Sequence, residues 1–231
     1  MATIAAKSIA RRPGALYFPL VTSLMVALSV LAFSDNLFTD IGQPSNSDPK
    51  MIVHSIFAAA WVIGFAAQSW LIYLGRIAAH RRLGQWIFAV AAGMVVTTVY
   101  LFVAKFRGFA AMDAEVLANR LLMLVFIACA ILAYRRRSRP DWHKRLLLIG
   151  TMALLEPVLA RVYDPIFGPF LPAVMSEQLD NGLFLAFLFS AWLALLGSLW
   201  IYDRRVMGKV HPVTLAGSSA IIAINLAVHL A

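Results

Sequence analysis

Long apolar runs, separated by short polar turns, constrain this chain more than any other feature. The hydrocarbon core of a bilayer is roughly 30 Å thick, so a helix needs about 20 predominantly apolar residues to cross it. We predict that the runs cross a membrane at residues 15–33, 51–75, 86–104, 116–134, 146–162, 183–202 and 213–230. The fifth run is short and carries Glu156 and Pro157, so a six-helix bundle with a re-entrant fifth segment is the alternative.

Composition supports a membrane protein and excludes several other classes. Residues of the types AVILMFWYC make up 61% of the chain and charged residues only 13%, which is far from the balance of a soluble domain. The net charge of +9 comes from short basic clusters between the apolar runs, so we expect the lipid bilayer and not nucleic acid as partner. The single cysteine, Cys129, rules out an internal disulfide framework and a cysteine metal site.

The basic clusters also predict orientation, because Lys and Arg near helix ends favour the cytoplasmic side. They occupy residues 1–14, 76–82, 135–145 and 204–209, which alternate with acidic outer loops that include 34–50 and 161–182. We therefore predict one all-α transmembrane domain over residues 1–231, with a basic cytoplasmic arm at 1–14 and the C-terminus outside.

The three predicted cytoplasmic turns share one design, in which a helix ends in Tyr, Arg follows, and His opens the next helix. The corresponding positions are Tyr73, Arg76 and His80, then Tyr134, Arg137 and His143, then Tyr202, Arg205 and His211. This internal repeat predicts a leader helix followed by three tandem helical hairpins.

The repeated histidines have two interpretations. Histidine at a helix start can serve only to bond a free backbone N–H, beside a belt Tyr and an anchoring Arg. Alternatively, His80, His143 and His211 converge and form a cofactor site for haem, a metal ion or an anionic head group, since imidazole is a common metal ligand.

A second candidate site is a polar cluster near the outer ends of the helices. Ionisable residues inside a bilayer are costly and usually face a partner in the bundle. We place Glu156 in this cluster with His54, Asn119, Arg120 and Arg161. It is either an ion pair of Glu156 with Arg120 or Arg161 that joins helices, or a site where Glu156 and His54 handle a proton or a ligand.

Four sequence motifs carry a family resemblance: VHSIFAAAWVIGFAAQSWLI, HRRLG, RPDWHKRLLLIGTMALLEPVLAR and YDRRVMGKVHPVTL. With these motifs the chain resembles a widespread group of uncharacterised bacterial polytopic membrane proteins, which implies a multi-pass protein of the bacterial inner membrane. It also has a looser likeness to transmembrane di-haem cytochromes, which implies haem b between His80 and His143. The fourth helix has no histidine to pair with His54, so that likeness implies one haem at most.

No catalytic residue is predicted, because the chain lacks a phosphate-binding loop, an H-E-x-x-H helix and a G-x-S-x-G elbow. Three functions fit the pattern. The short loops favour a non-catalytic subunit or assembly partner of a larger membrane complex. The histidines favour a haem- or metal-binding redox protein. The outer cluster favours a small transporter or a protein that binds anions or anionic lipid.

Overall fold

The computed structural model describes residues 14–171 and 176–230, so the predicted basic arm lies outside the described residues apart from Gly14. Within these two ranges the regular structure is entirely helical and contains no strand. The α-helices are α1 Tyr17–Ala32, α2 Pro44–Ser47, α3 Pro49–Tyr73, α4 Ile77–Ala104, α5 Ala114–Arg135, α6 Pro140–Ala153, α7 Glu156–Phe167, α8 Glu177–Met207 and α9 Pro212–His229. Single turns of π-helix (Asp35–Thr39) and 3-10 helix (Phe109–Ala111, Gly168–Phe170) lie between them.

Among the described residues, five helices are long and apolar enough to cross a membrane: α3, α4, α5, α8 and α9. Helices α6 and α7 pass the same test together, but they meet at a bend of 56° and count as a sixth span only if taken as one. Helix α1 is apolar but has 16 residues. The prediction of an all-α, multi-pass membrane protein is thereby confirmed.

Local sequence signals explain where several helices begin and end. Pro49 and Pro212 occupy the first helical positions of α3 and α9, where the absent N–H of proline costs no hydrogen bond. Asp48 and His211 precede them and cap the helices, each accepting a backbone N–H with its side chain. Gly208 ends α8 in the left-handed conformation, at φ +72°.

Helices α6 and α7 form the centre of the bundle. Helix α6 packs against α5 and α9, whereas α7 packs against α1, α5 and α8. The hairpin of α3 and α4 lies outside this core and contacts α1 and α5. From Leu148 to Ala153 every residue of α6 is buried, so the segment that is shortest in sequence is the most enclosed in the fold.

Different contacts mark the two ends of the bundle. At the end with the basic turns, Tyr17 at the start of α1 stacks on Tyr202 near the end of α8, with ring centroids 4.5 Å apart. At the other end, Arg161 donates to Asn36 over 3.2 Å. We call these the basic end and the outer end.

Helical structure extends further into the predicted outer loops than the hydropathy pattern indicates. Helix α7 continues past residue 162 to Phe167, and α8 begins at Glu177 and not near residue 183. Polar residues can extend a helix beyond the apolar run, and Ser176 caps α8 by accepting the Leu179 N–H.

Candidate functional site

A cavity of about 700 Å³ lies at the outer end, where α1 and α4 end and α3 and α5 begin. Four of the five residues predicted to form the outer polar cluster line it: His54, Asn119, Arg120 and Arg161. Four of the predicted residues thus line one cavity, whereas the fifth, Glu156, does not. We call this site the outer-end cavity.

Its lining combines positive charge with apolar surface. Of the described residues that line the cavity, four are basic (Lys105, Arg107, Arg120 and Arg161) and one, Asp113, is acidic. Apolar lining comes from Phe33, Met51, Leu101, Phe102, Phe106 and Val116. Several cations around one cavity produce a positive potential that attracts anions.

Arg120 is held in place but keeps a donor free. Its Nη2 donates to the Phe102 carbonyl over 2.9 Å, and the guanidinium lies 5.1 Å and 5.3 Å from the ring centroids of Phe102 and Phe106. Its Nε is buried and has no hydrogen-bond partner among the described residues. A guanidinium carries five N–H donors, so other N–H groups of Arg120 remain for a bound anion.

Arg161 and His54 lie at other walls of the outer-end cavity. Arg161 donates to Asn36 and lies 4.0 Å from the Asp35 carboxylate, with its guanidinium over the Phe33 ring. His54 Nδ1 bonds the Thr97 hydroxyl at 3.2 Å. Helix α3 therefore contributes a histidine whose second nitrogen stays available to a ligand.

Glu156 makes none of the predicted bonds to Arg120, Arg161 or His54. It is fully buried, and its oxygens bond Trp192 Nε1 of α8 and His229 Nε2 of α9, each at 3.2 Å. Arg161 follows Glu156 by five residues, which is about 140° around a helix, so the two side chains leave α7 in different directions. The prediction of an ion pair with Arg120 or Arg161 is therefore wrong.

The sequence analysis missed His229 as the partner of Glu156. The two lie 73 residues apart in the chain, and no local spacing connects them. The available signal was the pair Asn225 and His229, which are four residues apart and share one face of the otherwise apolar second half of α9.

His80 and His143, two of the three repeated histidines, each bond a different partner at the basic end. The Gln68 amide bonds the His80 ring and accepts the Gly84 N–H over 2.9 Å. His143 Nδ1 donates to the Ala133 carbonyl over 2.9 Å, which leaves its Nε2 as an acceptor.

His211 belongs to a different network, centred on a buried ion pair between Arg145 and Asp203. Arg145 Nε donates to Asp203 over 2.8 Å, and Asp203 also accepts the His211 backbone N–H at 3.0 Å and the Thr214 hydroxyl at 2.6 Å. Burial, with the neighbouring Arg145 charge, lowers the pKa of His211, while its Nδ1 caps α9. This network ties the end of α8 to the starts of α6 and α9.

The histidines therefore form no common metal centre in the part of the chain that the structure describes. No group of three or more His, Cys, Asp and Glu side chains there is arranged to hold a metal ion. Haem binding by His80 and His143 stays a prediction.

Comparison of the chain with protein-family profiles, with curated proteins and with solved structures found no match. The resemblance to bacterial polytopic membrane proteins accordingly stays a prediction.

Proposed function

We propose that the protein binds an amphipathic organic anion in the outer-end cavity and acts as a small transporter or anion-binding membrane protein. The observation that carries the proposal is the grouping of Lys105, Arg107, Arg120 and Arg161 around one cavity that has a single carboxylate, Asp113, among its described lining.

The cavity's size and lining define the class of ligand. Small-molecule sites typically enclose about 300–1,000 Å³ and combine apolar walls with a few placed polar groups. A carboxylate, phosphate or sulfonate group would accept hydrogen bonds from Arg120 and Arg161, and its apolar portion would contact Phe33, Met51 and Phe106. The same chemistry describes a free organic anion and the head group of an anionic lipid.

The membrane topology belongs to the same proposal. Seven spans result when α1 counts as one span and the bent pair α6 and α7 as another. The basic turns then face the cytoplasm, the N-terminus lies on that side, and the outer-end cavity faces outward across a bacterial inner membrane.

Thermal unfolding of the protein purified in a mild uncharged detergent tests the proposal. A ligand that binds only the folded state stabilises it by about 2.7 kcal/mol at about 100 times its dissociation constant. We expect 1-octanesulfonate to raise the unfolding temperature more than inorganic phosphate does, and octyltrimethylammonium, a cation of the same chain length, to have no such effect. Unfolding in nanodiscs with and without phosphatidic acid distinguishes the two ligands. A higher unfolding temperature with phosphatidic acid indicates a lipid head group, and no difference indicates a free anion.

Substitutions assign the effect to the cavity. Arg120→Gln should remove most of the stabilisation, whereas Arg135→Gln, at the exposed basic end of the same helix, should leave it unchanged. Equal stabilisation of both variants, or stabilisation by the alkyl cation, would contradict the proposal. A stoichiometric protein partner, found together with an unresponsive cavity, would instead favour a subunit or assembly role.

A further inference from the structure

Glu156 and His229 form a buried acid–base pair that the outer-end cavity does not use. Their side chains are 0% and 1% exposed, and Glu156 Oε1 lies 3.2 Å from His229 Nε2. The other carboxylate oxygen accepts the Trp192 indole N–H at 3.2 Å. Intramembrane ionisable pairs of this kind are commonly part of proton or ion pathways.

The pair lies at the break between α6 and α7. The N–H groups of Leu154 and Leu155 bond the carbonyls three residues back, over 3.1 Å and 2.8 Å, so the chain tightens before it bends. Pro157 has no N–H to give to the Ala153 carbonyl, and the helix restarts with Glu156 at its positive end. The break therefore positions a carboxylate inside the bundle.

One acceptor beside the pair is unsatisfied. Asn225 is fully buried and one helical turn before His229, and its Oδ1 has no hydrogen-bond partner among the described residues. A buried acceptor without a donor is costly, so a hydrogen-bond donor beside the Asn225 Oδ1 would be favourable.

Among the described residues, the Glu156 carboxylate bonds Trp192 and His229 and no Lys or Arg. Ionisable side chains of the helices packed around the pair make their contacts elsewhere: Arg120 of α5 with the Phe102 carbonyl, Asp180 of α8 with Tyr163, and Arg145 of α6 with Asp203. The titratable side chain of α1 is Tyr17, which lies at the basic end. The pair therefore carries one negative charge when the imidazole is neutral.

We infer that the Glu156–His229 pair takes up one proton when an anion binds in the outer-end cavity. The inference rests on the function proposed above. The proton comes from water and binds at Glu156 Oε1 or His229 Nε2, which makes the pair electrically neutral, and the anion itself is chemically unchanged.

Two features of α7 connect the cavity to the pair. Pro157, the neighbour of Glu156, lines the cavity, as does Arg161 one turn further along the same helix. An anion in the cavity adds negative charge beside α7, and a proton taken up by the pair reduces the repulsion between that charge and the pair. By linkage, protonation must strengthen anion binding by the same factor.

Isothermal titration calorimetry with 1-octanesulfonate, which stays ionised throughout, tests the inference between about pH 5.5 and pH 8. Titrations in two buffers of different ionisation enthalpy count the protons taken up. We expect about one proton per bound anion and an affinity that falls about tenfold for each pH unit over part of the range. In Glu156→Gln the anion should still bind, with no proton uptake and no pH dependence.

Asp164→Asn is the matched control, because Asp164 is an exposed carboxylate on the same helix. It should keep both the binding and the proton uptake. If Glu156→Gln does not fold, Glu156→Leu serves as the second variant, and it should also bind the anion without proton uptake.

The outcomes separate the two proposals. Anion binding by the native protein without proton uptake overturns the proton site and leaves the proposed function intact. Proton uptake that persists in Glu156→Gln, or in Glu156→Leu where that variant is used, also overturns it. Absence of anion binding overturns the proposed function, and the coupling fails with it.

Discussion

Removal of the Asp203 carboxylate should destabilise the protein severely. Asp203 is fully buried and accepts from Arg145, from the His211 backbone and from Thr214. In Asp203→Ala, Arg145 keeps its charge while its side chain is only 1% exposed. Removal of one partner from a buried ion pair costs about 3–5 kcal/mol, because the remaining charge is desolvated and uncompensated. We therefore expect a loss of about 3–5 kcal/mol in the free energy of unfolding.

Reversible unfolding in mixed micelles with increasing SDS measures this loss. Asp164→Ala, which removes an exposed carboxylate, should change the free energy of unfolding by less than about 0.5 kcal/mol. The double variant Arg145→Met, Asp203→Leu should recover much of the stability, since apolar residues often replace a buried ion pair at little cost. A loss below about 1 kcal/mol in Asp203→Ala is typical of an exposed ion pair. Such a value would contradict the prediction that the variant leaves the Arg145 charge buried and uncompensated.

Three further predictions concern other parts of the bundle. A Cβ added at Gly217 would overlap the Ile149 side chain, so Gly217→Ala should cost about 1–3 kcal/mol in SDS unfolding, whereas Gly182→Ala, with open space, should cost nothing. The lowered pKa of His211 means that the unfolded chain binds its proton more tightly, so its contribution is present above about pH 6.5 and is lost as pH falls through the folded-state pKa; unfolding measured against pH should show a weaker dependence in His211→Asn. Pro157→Ala supplies a donor for the Ala153 carbonyl, so amide hydrogen exchange should slow at the break between α6 and α7.

Much of the fold could be predicted because its signals are local. The Lys and Arg clusters mark the turns at the basic end, and apolar length marks α3, α4, α5, α8 and α9. The bend after Ala153 was harder to predict from the sequence. Pro157 warns of a break, but its angle depends on how α6 and α7 pack against their separate neighbours. The extensions of α7 and α8 into polar sequence were also missed, because hydropathy reports contact with lipid and not helix length.

The candidate sites also contain features that could be predicted from the sequence and features that could not. His54, Asn119, Arg120 and Arg161 lie near predicted helix ends, so topology alone brings them to one cavity. The partner of Glu156 depends on rotation about the helix axis, which an apolar sequence specifies weakly. Likewise, His211 matches His80 and His143 in the repeat, yet Asp203 at the end of α8 draws it into a separate network. Equivalent positions in the repeat therefore bond different partners, because the residues around each histidine differ.

Anomalous scattering from a bound ligand would show directly whether the outer-end cavity holds an anion. Crystals of the protein grown with a bromine-labelled alkyl carboxylate would locate the bromine without assumptions about chemistry. We predict one bromine peak against the apolar wall near Phe106 and Met51, with the carboxylate density between Arg120 and Arg161. Bromine only at the lipid-facing surface, with the cavity filled by solvent or by protein side chains, would contradict it.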